Sequence, residues 1–342
     1  MRVRLLAAGL LVAALLSWHL AGRTTDLGVA SLPAAEPAAA AGDTLLVEPD
    51  DGIGEVEALL RSPRHQLDLT IYELDDPTAE ATLADDAARG VQVRVILDGR
   101  LERTHNAAAF AYLRGRGVDV RWSSPDFFAT HEKAFVIDRT TTVIMSLNLT
   151  SRYYATTRDA VVVDRDPRDA AAVEAVFDAD FAGRPAGTPA ADDLVWSPGQ
   201  SQADFVRLIE SARTSIAVES EELSSEPVVD ALLDAAGRGV RVQLAMTYQP
   251  RWAANLRRLA AAGADVAVMY GENPLYLHAK LLVVDAGTQR ARGFVGSENI
   301  ADASLLHDRE LGVVLLRPDL VNRLATVVAR DINDAHTYPA GR

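Results

Sequence analysis

The sequence predicts an α/β protein of two similar halves, each a mostly parallel mixed sheet flanked by helices, packed about a pseudo-twofold axis. Three observations carry the prediction. Apolar, β-branched runs alternate with helical stretches, the pattern of strands covered by helices on both faces. Leu59, Ser62, Arg64, Glu73, Leu74, Arg89, Gly90 and Val91 recur 149 residues later as Leu208, Ser211, Arg213, Glu222, Leu223, Arg238, Gly239 and Val240. A His-x-Lys segment, followed by an Asp and then by Ser-x-Asn, occurs once in each half.

Taken in order, the chain opens with Arg2 and Arg4 before a Leu/Ala/Val run, the n-region and h-region of an export signal. Residues 1–22 are therefore read as a signal peptide or signal anchor, and 23–42, rich in Ala and Pro, as a linker. The expected location is secreted or extracytoplasmic, tethered to the membrane by this N-terminal segment. The first repeat spans 43–183. In it, 67–72 is a strand, 78–89 a helix ended by Gly90, 91–97 a buried strand, 107–116 a helix closed by Gly117, and 118–122 a further strand. A loop leads to His131. Residues 184–193 connect to the second repeat at 194–342, which runs through the same order.

The repeated segment has a readable geometry. Residues 134–137 and 281–284 are apolar and mostly β-branched, so each reads as a buried strand with side chains alternating between faces. His131 and Lys133, and likewise His278 and Lys280, then point the same way. A tight reversal near Arg139 and Thr140 is expected to set His131 opposite Asn148 and Lys133 opposite Ser146. The second copy should pair His278 with Asn299 and Lys280 with Ser297, with four extra residues in its turn around Thr288. Asp138 and Asp285 lie seven residues past their histidines, hence on the opposite face. They are read as structural.

Two sets of His, Lys, Ser and Asn suit a phosphate. Lysine is a compact positive charge, and Ser and Asn supply neutral donors. Two imidazoles across such an anion can divide the work, one attacking phosphorus and one protonating the leaving oxygen. The expected catalytic residues are His131, His278, Lys133 and Lys280, with Ser146, Asn148, Ser297 and Asn299 binding phosphate. Asp159 and Glu310 each follow the Asn of their copy by eleven residues and are expected to hold the histidines in their working tautomer. No metal or other cofactor is expected. Among 34 basic residues Lys133 and Lys280 are the two lysines, so an arginine-rich chain keeps lysine only in this motif.

The doubled HxKx4D with its following Ser-x-Asn resembles the phospholipase D superfamily over nearly all of the chain after residue 42. The resemblance implies a phosphohistidine intermediate at one site shared by two phospholipase D-like halves. It also implies that the first-copy histidine is usually the nucleophile and the second the acid/base. The sequence departs at one place: the glycine expected before Ser146 is Met145, a substitution expected to tighten the phosphate pocket on that side.

Composition bears on the substrate. The formal net charge is −14, and removal of Arg2 and Arg4 with a leader would make it −16. Such a surface repels polyanions at long range. With no cysteine, disulfides and thiolate metal sites are excluded. The expected activity is an exported phosphodiesterase that cleaves or transfers phosphatidyl groups of phospholipids, with membrane-surface contact and nucleic acid disfavoured. A monomer suffices, since both motifs lie in one chain. An extracellular endonuclease of the same superfamily is the first alternative; it requires an arginine cluster at the pocket mouth, from Arg100, Arg103, Arg152, Arg251, Arg257 and Arg258. A catalytically weak phosphate-group binder, disabled by Met145, is the second. Glu73 and Glu222 are expected to cap helices or face solvent. Phe127 and Phe128, and equally Trp252, Tyr270 and Tyr276, divide evenly between a lipid interface and core packing. His65, His105, His307 and His336 have no partner in the other repeat and are read as surface or structural.

Overall fold

The computed structural model describes residues 42–339 except 188, 190, 192, 272 and 273. The leader and all but the last residue of the linker lie outside the described residues. Among these no helix is long and apolar enough to cross a membrane.

The first half runs β1 (Thr44–Glu48), α1 (Gly54–Leu60), β2 (Gln66–Ile71), β3 (Leu74–Asp75), α2 (Pro77–Ala88), β4 (Gln92–Leu97), α3 (Ala107–Gly115), β5 (Asp119–Trp122), β6 (Lys133–Ile137), β7 (Thr141–Met145), β8 (Leu149–Thr150), β9 (Thr157–Asp164) and α4 (Pro167–Phe181). The second repeats it as β10 (Leu194–Ser197), α5 (Ser201–Ser211), β11 (Ser215–Glu219), α6 (Glu226–Gly237), β12 (Arg241–Thr247), α7 (Ala253–Ala261), β13 (Asp265–Met269), β14 (Tyr276–Leu277), β15 (Lys280–Val284), β16 (Arg292–Gly296), α8 (Asp302–Leu306), β17 (Glu310–Leu315) and α9 (Pro318–Asp334). A short β18 (His336–Thr337) ends the second sheet.

Local chemistry sets these boundaries. Pro77 and Pro167 sit in the first turns of α2 and α4, where a missing N–H costs nothing. Asp76 and Asp166 cap those turns, accepting from the amides of Thr78 and Arg168, each at 2.8 Å. Gly90, at φ 95°, closes α2 in the left-handed region.

Each half holds a mixed sheet, ordered β1-β9-β7-β6-β2-β4-β5 in the first and β10-β17-β16-β15-β11-β12-β13-β18 in the second. The parallel part is β2-β4-β5 and its counterpart β11-β12-β13. The motif hairpin and the strands flanking it pair antiparallel, because a tight turn reverses the chain between β6 and β7. The sequence reading had not placed β1, β9 or α4, nor their second-half counterparts.

The register corrects one expectation. Ile137 pairs with Thr141 and Ala134 with Ile144, and in the second half Val284 pairs with Arg292 and Lys280 with Gly296. Lys133 in this register faces Met145, and Lys280 faces Gly296, one position short of the serines. The reversal starts at Asp138 rather than at Arg139: Asp138 and Arg139 both take positive φ, 48° and 62°, and the Thr140 amide donates to the Ile137 carbonyl at 3.0 Å. Asp138 is pinned there by work at the sheet end. Its carboxylate accepts from the amides of Arg64, His65 and Gln66 at 2.8–2.9 Å. Asp285 does the same for Arg213, Thr214 and Ser215 and also accepts from the Thr214 hydroxyl. Hydrogen bonds of this kind hold both carboxyls below the usual range against the opposing effect of burial.

Three apolar layers hold the halves. Phe135 and Ile137 face a core shared with α1, α2 and α3, and Ile216, Leu282 and Val284 face one shared with α5, α6 and α7. Ala134, Val136, Leu281 and Val283 point the other way, into a central core that also takes Val173 of α4 and Leu324 of α9. Strands buried on both faces explain why the motif strands read as unbroken apolar runs. One buried and one partly buried ion pair cross between the halves: Arg158 bonds Asp331 at 2.7 and 2.9 Å, and Arg309 bonds Asp180 at 3.1 Å.

Candidate active site

The segments that precede the two histidines leave their own sheets and pair with the other half. Tyr276 and Leu277 lie parallel to Thr157 and Arg158, and Thr130 bridges to Arg309. The Ala279 amide donates to the Arg158 carbonyl and the Glu132 amide to that of Arg309, both at 2.8 Å. Each histidine is thereby delivered to a carboxylate near the start of a strand of the opposite half, Asp159 in β9 or Glu310 in β17.

The result is a crossed pair. His131 Nδ1 lies 2.8 Å from Glu310 Oε2, and His278 Nδ1 lies 2.7 Å from Asp159 Oδ1. With Nδ1 engaged, Nε2 is the nitrogen available for chemistry in each ring. Both rings border a cavity of about 520 Å³, together with Tyr72, Asn148, Asp159, Glu221 and Asn299. Asn148 and Asn299 also line it, and their side-chain oxygens are buried and unpaired among the described residues.

The lysines lie under the cavity floor, each 1% exposed. Lys133 Nζ donates to the His131 carbonyl at 2.7 Å, and Lys280 Nζ donates to Glu221 at 3.2 Å and to the His278 carbonyl. Burial, with Lys280 next, brings the Lys133 ammonium down to about 7.

Ser146 and Ser297 stand behind the carboxylates instead of lining the cavity. Ser146 Oγ donates to Asp159 at 2.7 Å and accepts the Ala160 amide at 2.9 Å, while Ser297 Oγ accepts the Leu311 amide at 3.2 Å. Thr157 adds a second hydroxyl to Asp159 at 2.9 Å, and Ser304 donates to Glu310. Burial opposes the charge on Asp159, but His278, Lys280 and Ser146 outweigh it and hold the carboxyl below its ordinary value. Burial wins at Glu310, pushing it up to about 7.

Met145 does not tighten the pocket. It is fully buried in the core under α1, α2 and α3, on the face it shares with Phe135 and Val143, and it is not among the cavity residues. Glu73 and Glu222 are also corrected: both line the cavity, where helix caps or solvent-facing groups were expected. Sequence reasoning missed Glu221 and Tyr72 altogether. The signal was available, because the 149-residue repeat that aligns Glu73 with Glu222 aligns Tyr72 with Glu221.

Five of the six arginines named for a nucleic-acid cluster are engaged by other protein groups. Arg100 stacks on Phe128, Arg103 on Trp122 and Arg251 on Trp252, while Arg152 pairs with Glu73 and Asp75 and Arg258 with Glu226 and Asp230. Among the described residues no Lys or Arg lines the cavity, whereas Glu73, Asp159, Glu221, Glu222 and Asp308 do. At its rim Leu101 and Phe128 are 48% and 44% exposed, and Phe127 packs against Arg309. Tyr276 donates to Glu221 at 2.8 Å inside the cavity, while Tyr270 is exposed and Trp252 packs on the core under α5, α6 and α7. His65, His105, His307 and His336 are all exposed. Among the described residues, Glu73, Glu102 and His105 are close enough together to hold a metal ion, although Glu73 is already paired with Arg152.

Residues 56–181 and 205–332 each match the family model described as cardiolipin synthase, PLD-like domain. Over 116 residues, 32% of this chain, the protein is 35% identical to cardiolipin synthase A of Pseudomonas aeruginosa, and the match spans 23% of that relative's length. Its fold is similar to that of a phosphatidylserine synthase from Haemophilus influenzae Rd KW20 (TM-score 0.68, 13% identity, 88% of each chain covered). It is similar to the same degree to a polyphosphate kinase from Porphyromonas gingivalis (TM-score 0.68, 17% identity, 87% of this chain and 52% of that one). The doubled motif, the crossed histidine–carboxylate pairs and the two family matches agree: the chain belongs to the phospholipase D-like domain family of cardiolipin synthases, with two copies of that domain.

Proposed function

We propose that the protein is a phosphodiesterase of the phospholipase D type, cleaving or transferring phosphatidyl groups of phospholipids through a phosphohistidine. The observation that carries this reading is the crossed pair, two imidazoles fixed by carboxylates of opposite halves at one cavity. One imidazole attacks phosphorus while the other protonates the leaving alcohol; water or a second alcohol then releases the phosphoryl group. Lys133, Lys280, Asn148 and Asn299 supply positive charge and donors for the phosphoryl oxygens, a preorganised electrostatic contribution. Ser146 and Ser297 keep the carboxylate-bearing strands in place.

A lipid substrate is supported over nucleic acid by the acidic lining and by Leu101 and Phe128 at the rim. The engagement of five of the named arginines with carboxylates and aromatic rings of the protein counts against the endonuclease; two of them, Arg100 and Arg152, are held by the cavity residues Phe128 and Glu73. Burial of Met145 in the core removes the reason for a disabled binder. Export, with tethering by residues 1–22, fits a membrane substrate and is part of the proposal.

The test is headgroup release from phosphatidylcholine and phosphatidylglycerol vesicles, beside single-stranded DNA and bis(p-nitrophenyl) phosphate, all in chelator. Lipid turnover with inert DNA is expected, and added primary alcohols should capture part of the phosphatidyl product. Cut DNA with untouched lipid would put the endonuclease first.

A further inference from the structure

The two imidazoles differ at the nitrogen that does the chemistry. His278 has a carboxylate near each ring nitrogen: Asp159 Oδ1 is 2.7 Å from Nδ1, and Glu221 Oε2 is 3.7 Å from Nε2. His131 has Glu310 at Nδ1, but the position equivalent to Glu221 is Tyr72, whose ring meets the imidazole edge-on with centroids 4.6 Å apart. Lys133 lies 4.9 Å from the centre of that tyrosine ring. An imidazole between two carboxylates is stabilised with both N–H groups in place, whereas one beside an aromatic ring and an ammonium keeps a free lone pair.

The surroundings reinforce the difference. Glu221 is half-buried, and desolvation opposes its charge, yet Lys280, His278 and the Tyr276 hydroxyl outweigh that effect and hold its carboxyl well below the usual range. Glu310 is pushed up to about 7 by burial, so the charge behind His131 is weaker than the charge of Asp159 behind His278. Burial and then Lys133, Lys280 and His278 hold His131 well below the usual histidine range, with Glu221 the opposing influence.

We infer that Glu221 is a positioning residue: by facing Nε2 of His278, where Tyr72 faces His131, it sets the His278 imidazole as the proton donor, so that the roles implied by the family resemblance, with His131 as the nucleophile, have a structural cause in this chain. The inference rests on the two-histidine reaction proposed above. In the first step the Nε2 lone pair of His131 forms the N–P bond, the P–O bond to the leaving alcohol breaks, and the Nε2 proton of His278 passes to that oxygen. In the second, a water or alcohol oxygen bonds to phosphorus and its proton returns to His278. The N–P bond breaks and its electron pair returns to His131. Glu221 touches neither phosphorus nor the leaving group; it acts through His278, and its ion pair with Lys280 orients it.

Leaving-group dependence tests this, because p-nitrophenol departs without a proton and an alkyl alcohol does not. In single-turnover experiments, p-nitrophenol release from bis(p-nitrophenyl) phosphate is compared with choline release from monomeric short-chain phosphatidylcholine. Glu221→Gln should slow choline release by about 100-fold, the scale of general-acid assistance, and slow p-nitrophenol release at least about tenfold less. Glu221→Asp should recover part of the loss. His278→Ala should give a burst of about one p-nitrophenol per enzyme and then stall with the phosphoryl group trapped on His131, while His131→Ala gives no burst. Equal slowing of both substrates by Glu221→Gln, or a burst in His131→Ala, overturns the assignment of roles. A wild-type protein that turns over neither diester overturns the underlying reaction, and the inference with it.

Discussion

The two halves share one backbone plan and differ in what fills the ground behind each motif histidine. On the first half's strands, behind His278, stand Asp159 with Ser146 and Thr157, over the apolar Met145 and Leu147. On the second half's, behind His131, stand Glu310 with Ser304, and beneath them Gly296, Glu298 and Gly312 around the Phe294 ring. The exchange is coupled. A Cβ added at Gly296 would fall 2.6 Å from Gly312 Cα and 2.7 Å from Phe294 Cζ, and would also meet Glu298. The first half carries the smaller Val143 where the second has Phe294, so Met145 takes the volume and no glycine is needed. A duplicated scaffold can thus hold its catalytic backbone while the electrostatics behind each imidazole diverge.

Several substitutions would break or sharpen this comparison, the largest effect coming from the carboxylates. Asp159→Asn should lower kcat/KM about 1,000-fold, within the range seen when a histidine loses its orienting charge. Glu310→Gln, at a carboxyl already pushed up to about 7, should cost about tenfold or less. Steady-state release of choline, a leaving group that needs the proton of His278, from monomeric short-chain phosphatidylcholine decides, and equal losses would show the halves to be electrostatically alike.

Next come the exchanged packing positions. Met145→Gly should destabilise by about 3–5 kcal/mol through a core cavity and added chain freedom, without a gain in turnover. Gly296→Ala should cost about 3 kcal/mol or more for the opposite reason, overpacking against backbone. Urea denaturation midpoints measure both.

Glu298 is buried with both carboxyl oxygens unpaired among the described residues, and burial, then Glu310, holds its carboxyl well above the usual range. A folded-state value raised above the unfolded one means that stability falls as pH climbs from about 4.5, because the unfolded chain releases the proton first. Glu298→Leu, which installs the first half's residue, should therefore stabilise by about 1–3 kcal/mol at pH 8 and by less at pH 5. Thermal unfolding at the two pH values checks the sign. A larger gain at pH 5 would mean that Glu298 is ionised in the fold.

The smallest contrast lies at the turns. Asp138→Asn should cost about 1–2 kcal/mol, and Asp285→Asn somewhat more because the Thr214 hydroxyl also donates to it. Turnover should persist in both; its loss in a stably folded variant would give these residues a direct part in catalysis.

Much of this was legible in the chain. The strand and helix order of β2 through β6, the short β3 excepted, follows from apolar periodicity and from Gly90 and Gly117, and the observed ends fall within one residue of those expected. The hairpin register was off by one, since positive φ at Asp138 and Arg139 depends on a carboxylate reaching backbone amides more than 70 residues away. Local pattern carries no trace of that contact.

By itself the sequence determined the duplicated α/β plan, the motif strands and the identity of the histidines, lysines, asparagines and carboxylates, because repetition and side-chain periodicity are properties of the chain. Only the tertiary structure decided that each imidazole is held by the carboxylate of the other half. It also decided that the serines stand behind those carboxylates, that Met145 lies in a core, and that Glu221 faces His278 where Tyr72 faces His131. The physical reason is common to all four. They depend on how two separately ordered sheets meet, and that meeting is set by burial of the apolar faces of β6, β7, β15 and β16, which is non-directional along the sequence and fixes partners only once the halves are packed.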